Sequence, residues 1–417
     1  MTRAPTAPRV CERGAAVYAG RDTWRARAIL RLSRINEVAP CDLEDAMNPR
    51  ERIERTVNHE LADHVPLKIS PRDEVRRGLL AHFGTDDWSE VLRALGVEGW
   101  AGVGVGISWP EWEAREDKEA RPGDWPGSNQ EYVWLDDVTF LDRWGAIQRV
   151  GAGGKYVEYI KAPLEDATID DLEDYDFPGP DRLIDDPDLP DRVRELKNQG
   201  NWVGAGVEQP YKTCWRIRGM QQNLMDYRIN KDFKNALYDR IYETWKEICR
   251  RVVSAGVDMF SIGGDIAMQD RLLMSMESWR ELDKPRLADL IATGKQINPD
   301  LHVFIHSDGS LMEIMDDLIE IGFDIINPIQ PECMDPFEVK RRWGEVITMD
   351  GCGSIQQVLP FGTVEDVREH VTGLIEGCAY NGGLILAPSN VVQHDTPLQN
   401  ILAFYGTARE YDLSRLG

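Results

Sequence analysis

The stretch LHVFIHSDGSLMEIMDDLIEIGFDIINP, residues 301–328, contains one complete repeat of the architecture. A short apolar run over 301–306 is followed by a polar turn, Ser307-Asp308-Gly309. Leu311, Ile314, Met315, Leu318 and Ile319 then recur at three-to-four spacing, the period of one buried helix face, and Gly322 supplies the stop. A second apolar run over 324–328 closes the unit. Two short strands joined by a helix run parallel, and such a crossover is right-handed.

Outward from this unit the pattern repeats. Further apolar runs at 65–69, 97–101, 202–207, 257–262, 346–349 and 383–387 bring the total to eight. Between two of them Ile241, Trp245, Ile248 and Val252 mark another helical face ahead of Gly256. Eight strand–helix units predict an α/β fold, a (β/α)8 TIM barrel. Asn48 followed by Pro49 reads as a helix cap and first helical position, so the barrel domain is placed at 47–417. Residues 1–46 form an N-terminal helical extension in this reading. It has a short basic helix over 25–32 and acts as a clasp on a neighbouring surface or subunit.

An excursion at about 107–200 interrupts the rhythm. It follows Gly102-Val-Gly104-Val-Gly106, which lacks the dinucleotide-binding spacing and reads as a strand or hairpin with close backbone approach. Trp109, Trp112, Trp125 and Trp134 punctuate what reads as a charged loop, and 155–160 alternates like a hairpin strand. Twelve acidic residues between Glu165 and Asp191 predict a solvated acidic loop. The whole insertion is therefore expected to be a hairpin and acidic-loop excursion without a second core.

Charge excludes some partners. Asp plus Glu number 72 against 48 Lys plus Arg, a formal charge of −24 that repels phosphate. Nucleic acid and anionic lipid are therefore not expected partners. No run approaches the ~20 apolar residues needed to span a bilayer, and no signal-peptide pattern opens the chain. Seven scattered cysteines with no CxxC pair predict reduced thiols and a cytoplasmic location.

In such a barrel, reactive side chains stand at the C-terminal ends of the strands. Polar residues cluster at five consecutive strand ends, which predicts a pocket for a small-molecule substrate on that face. His306 ends a strand after the apolar residues Val303 to Ile305. It reads either as a core histidine bonded to a carbonyl or as a ligand. Held with Asp265 and Cys333, its neutral imidazole would give zinc three protein ligands and an open position. Cys333 also reads as a small buried hydrophobe, and Asp265 as a helix N-cap. Asp308 either orients His306 or ligates directly. His306, Asp308 and Asp265 are the candidate catalytic residues. Asn327, Gln330, Glu332, Gln356, Asn390 and Gln393 are the candidate substrate-binding residues, since amides suit carboxylate, amide or oxygen-rich groups better than proton transfer. No nucleophile elbow, phosphate loop or kinase signature occurs.

The segments HSDG (306–309), GFDIINPIQP (322–331), GTVEDV (362–367), GGLILAP (382–388) and TPLQN (396–400) occur in that order. Through them the chain, from about residue 49 to 405, resembles the uroporphyrinogen decarboxylase superfamily. The resemblance implies a (β/α)8 barrel, a homodimer and a site at the strand C-termini. True decarboxylases carry a Met-Arg-Gln-Ala-Gly-Arg signature on the first strand and an Asp after the second. This chain reads VPLKISP (65–71) and GWAG (99–102) there, which disfavours uroporphyrinogen as substrate. Thiol-methylating members of the other arm bind zinc through His-x-Cys after strand five and a Cys after strand eight. The corresponding positions here are His306, Asp308 and Asn390, so only the histidine matches. The zinc site is then either rebuilt, as from Asp265, His306 and Cys333, or absent. The resemblance points to a zinc-assisted methyltransferase of the demethylase type, moving a methyl group from a small methoxylated or methylated substrate to a corrinoid protein. No Asp-x-His-x-x-Gly motif occurs, so the corrinoid would arrive on a partner. The alternatives are a decarboxylase of a different acid and a small-molecule-binding barrel without chemistry.

Overall fold

A computed structural model describes residues 47–123 and 125–416 of the chain. The expected extension over 1–46, with its basic helix, lies outside the described residues. Numbered along the chain, the strands are β1 (Trp100–Gly102), β2 (Lys118–Glu119), β3 (Tyr132–Trp134), β4 (Thr139–Leu141), β5 (Ile147–Val150), β6 (Val157–Lys161), β7 (Trp202–Glu208), β8 (Met259–Gly263), β9 (His302–His306), β10 (Ile325–Ile329), β11 (Thr348–Gly353) and β12 (Leu384–Pro388). Among the described residues β1 and β7 to β12 form one parallel sheet in chain order. It curls into the TIM barrel that the eight apolar runs predict.

The first run, 65–69, is not a regular strand. Leu67 makes a single parallel bridge to Leu386 of β12. Lys68 N–H donates to Leu386 (3.2 Å), and Leu386 N–H donates to the Pro66 carbonyl (2.9 Å). Toward β1 a side chain replaces the ladder, as the Trp100 indole N–H donates to the Leu67 carbonyl at 2.9 Å. Pro66 has no N–H to give, which limits further pairing. The seventh run also differs, because β11 reaches Gly353 and all six of its residues are buried. Asp350 and the two glycines are poor strand formers alone, but parallel partners on both sides supply their backbone bonds.

Helix signals read locally match the structure where the cap decides. The Asn48 side chain accepts the Glu51 N–H (2.9 Å) at the start of helix Pro49–Val57. Gly322 closes helix Met315–Ile321 with a left-handed φ of 106°. That helix is shorter than the apolar spacing predicts, because Leu311 and Ile314 are buried in a turn that precedes it.

Along β9, Val303 and Ile305 are buried toward the helices, while His302, Phe304 and His306 alternate with them and face the barrel axis. The lower interior is apolar. Ile53 and Val57 of helix Pro49–Val57 pack with Trp202, Ile325 and Ile385, and Phe304 and Met259 lie against them. The helix thus stoppers the N-terminal end of the barrel, tied by an Arg50–Asp258 ion pair. Only the top of the interior is left for polar groups.

The insertion is an antiparallel hairpin excursion, as expected, and it extends further than one hairpin: β2 to β6 form a meander with its own cluster of Trp125, Tyr132 and Phe140. Strands of two to five residues are too short to show a clear period, which hides them in the sequence. The acidic segment is not a simple solvated loop, since Leu172, Leu183 and Leu189 are buried between its exposed acids. Arg72 lies 5.7 Å from the Tyr156 ring, and Arg216 donates to the Tyr159 hydroxyl at 3.4 Å. Both arginines follow barrel strands, so the meander sits at the C-terminal mouth.

All five cysteines among the described residues are free thiols, and no described helix is long and apolar enough to cross a membrane. Removing the stopper's buried side chain should cost stability alone. Ile53→Ala is expected to lose about 3 kcal/mol in denaturant unfolding. A loss below about 0.5 kcal/mol would show that the helix does not hold the barrel closed.

Candidate metal centre and adjoining cavity

Gly263, His306 and Asn327 stand opposite one another on β8, β9 and β10. Side chains on one rung of a parallel sheet share a face, so His306 and Asn327 point together into the top of the barrel. His306 Nδ1 lies 2.6 Å from Asn327 Oδ1. Asn327 Nδ2 donates to Asp350 Oδ1 at 2.8 Å, and Lys68 Nζ donates to Asp350 Oδ2 at 2.6 Å. This chain decides a tautomer. A carboxylate paired with an ammonium only accepts, so the Asn327 amide must turn its NH2 to Asp350 and its oxygen to His306. An amide oxygen only accepts as well. Nδ1 therefore carries a proton, and in the neutral form of the ring the lone pair is on Nε2.

That lone pair faces acids. His306 Nε2 is 3.9 Å from Asp265 Oδ1. One ligand atom each from Asp265, His306 and Asp308 lies within 4.8 Å of the others. Asp265 follows Gly264, whose φ of 146° and approach to Gln209 and Lys212 leave no room for a side chain. Its Oδ1 accepts the Asp308 N–H at 3.1 Å. Asp308 is aimed by its neighbours: a side chain at Gly309 would strike the Met268 carbonyl, and Gly309 N–H donates to Gln330 Oε1 at 3.3 Å. Asn390 Nδ2 donates to Asp308 Oδ2, while Asp308 Oδ1 is buried with no hydrogen-bond partner. Burial pushes the Asp308 carboxyl above the usual carboxylate range, the Asp265 charge adds to the shift, and the Asn390 hydrogen bond partly offsets it. A buried, unpaired carboxylate oxygen beside a second acid and an imidazole nitrogen is a group that could hold a divalent metal ion with a position left open.

A cavity of about 500 Å³ adjoins these groups. Lys68, Trp100, His306, Asn327, Asp350 and Asn390 contribute to its wall. Lys68 Nζ also sits 4.3 Å from the Trp100 ring. The cavity wall is mainly apolar with a few polar groups, as small-molecule pockets are.

Residues 153–411, more than half of the chain, match the family model described as uroporphyrinogen decarboxylase (URO-D). The chain belongs to the uroporphyrinogen decarboxylase family. Among solved structures it is similar to a methyltransferase from Methanosarcina mazei, at 18% identity and a TM-score of 0.56, over 87% of this chain and 99% of that one. That likeness shows the shared fold. A B12-independent methionine synthase from Shewanella sp. W3-18-1, in complex with selenomethionine, aligns over 53% of this chain and 67% of its own, at 11% identity and a TM-score of 0.36.

Within this family member the expected site residues divide. Asp265, His306, Asp308, Asn327 and Asn390 converge. Cys333 does not belong to the group of ligand atoms, where Asp308 stands instead. Burial pushes its thiol up to about 11, and its N–H closes a turn on Gln330. Asp265 is not a helix cap, since the next helix starts at Met276 and is capped by Ser275. Gln330 is buried and holds Gly309, while Glu332 accepts from Ser354 and Gln356. Gln356 bonds to Gln269, and Gln393 to Arg72 and Val391. None of these four lines the cavity. Sequence reasoning missed Lys68, Trp100 and a role for Asp350. The available signal was a lysine inside one apolar run and an acid just past the end of another, 282 residues apart.

The raised Asp308 carboxyl has a signed consequence. Between the ordinary aspartate range and its raised native value the folded chain binds more protons than the unfolded one, so stability falls as pH rises through that window. In metal-free protein Asp308→Asn should raise the thermal midpoint at pH 7, with the gain vanishing as pH drops below about 4. A lower midpoint at pH 7 would contradict the placement of Asp308.

Proposed function

We propose that the chain is a zinc-assisted methyltransferase, taking a methyl group from a small methoxylated or methylated substrate in the cavity of about 500 Å³ and passing it to a corrinoid on a partner protein. The observation that carries the reading is the convergence of Asp265, His306 and Asp308 with one Asp308 oxygen buried and unpaired. The fold shared with the Methanosarcina mazei methyltransferase supports it. Asp265, His306 Nε2 and Asp308 would hold the metal, in place of the set with Cys333. Bound there, zinc supplies Lewis-acid polarisation of the substrate atom that gives up the methyl group.

The chain's own residues do the rest. Asn327 keeps the His306 proton on Nδ1, away from the ligating nitrogen. Asn390 holds one Asp308 oxygen and leaves the other turned to the site. Trp100 and the Lys68 stem give the cavity an apolar wall for an uncharged substrate. The decarboxylase alternative has less support, because the cation in the cavity wall, Lys68, is already paired with Asp350 and a polycarboxylate would find little to neutralise it. A homodimer in a reducing compartment completes the proposal.

Zinc binding tests it. Protein purified without chelator should hold about one zinc per chain. Asn327→Leu should weaken zinc about 10–100-fold, His306→Ala more than that, and Cys333→Ser not at all. With zinc restored, methyl transfer from methyl ethers to cob(I)alamin should appear in wild type and vanish in His306→Ala. Wild-type zinc affinity in His306→Ala would overturn the assignment. Carbon dioxide release without methyl transfer would favour the decarboxylase.

A further inference from the structure

The meander and the loops beside it enclose a second cavity, of about 720 Å³, which shares no lining residue with the one at His306. Most of its wall precedes residue 153, ahead of the family match. The wall is aromatic, with Trp112, Tyr132, Trp144 and Tyr159 around the space. Two of these rings are fixed by packing. Trp144 meets Trp109 edge-on at 4.6 Å, and Tyr132 lies 4.3 Å from Phe140. Both are buried. Rigid rings of this kind take either a flat ring or a cation.

Charge decides between the two. Arg143 and Arg216 line the same space, and their positive charges would repel a cation. The acids in the wall are already engaged. Asp142 accepts the N–H groups of Trp144 and Ala146 at 2.9 Å each and the Gln148 amide, and Glu131 faces Lys118 at 3.9 Å. Arg216 is neutralised by Glu208 at 2.6 Å. Arg143 makes no ion pair with a carboxylate among the described residues, and its guanidinium rests 5.6 Å from the Trp109 ring. The cavity therefore combines aromatic rings with a guanidinium that makes no ion pair among the described residues, in a chain whose net charge is −24. Elsewhere that charge would repel an anion.

We infer that this cavity binds a planar aromatic molecule bearing a carboxylate, its ring against the aromatic wall and its carboxylate on Arg143. The volume lies within the ~300–1,000 Å³ of small-molecule pockets. The site stands apart from the metal centre, so it holds or fails independently of the methyltransferase reading.

Calorimetric titration of the full chain with 1-naphthoate tests it. Saturable binding at one site per chain is expected. 1-Naphthalenemethanol, which lacks the charge, and cyclohexanecarboxylate, which lacks the flat ring, should each bind about tenfold more weakly. Arg143 is exposed, so Arg143→Gln leaves the packing intact and should weaken 1-naphthoate about fivefold or more. His306→Ala should bind it like wild type. Absence of saturable binding, equal affinity in Arg143→Gln, or loss of binding in His306→Ala would each overturn the inference.

Discussion

An ion pair at the top of the barrel, Lys68 on Asp350, determines the chemistry of a histidine it never touches. Asp350 is fully buried and Lys68 is the ammonium against it. A buried carboxylate without that partner would be strongly disfavoured. With it, the carboxylate stays a pure acceptor and orients the Asn327 amide, and the amide then orients His306. Each link has one allowed direction, because ammonium groups only donate and carboxylates only accept. The outcome is a bare Nε2 beside Asp265 and Asp308.

The acids at this site oppose folding and favour a ligand. Asp308 is held near Asp265, with its Oδ1 buried and unsatisfied. Like charges at short range and an orphaned oxygen both destabilise the metal-free chain. A divalent cation would reverse both effects at once. Packing elsewhere sustains this local conflict: the apolar lower barrel, stoppered by helix Pro49–Val57, carries no such strain. The division between a stabilising N-terminal end and a reactive C-terminal end follows from the barrel itself.

Much of this was legible in the sequence because it is local. Apolar runs, the Asn48–Pro49 start and the Gly322 stop act over a few residues, and they place all the barrel strands to within a few positions. His306 announces itself as the polar end of a strand, after the apolar residues Val303 to Ile305. The rest depends on contacts between distant segments. Asp308 displaces Cys333 in the group that could hold a metal because Gly309, Met268 and Gln330 aim it, and no spacing rule encodes that. Lys68 and Asp350 each look like an odd charge in a strand until β12 and the run 65–69 bring them together. The meander was hidden because its strands are too short to repeat a pattern, and its aromatic cluster is visible only once the strands pair.

The central claim is that the Lys68–Asp350–Asn327 chain presents the His306 Nε2 lone pair to a metal. The chain has seven histidines, few enough to resolve by nitrogen NMR of 15N-histidine-labelled protein. The account predicts a His306 ring with Nδ1 protonated and Nε2 bare in the metal-free state, and a shift of the Nε2 signal on addition of one equivalent of zinc. A His306 ring protonated on Nε2, or an Nε2 signal unmoved by zinc, would contradict it.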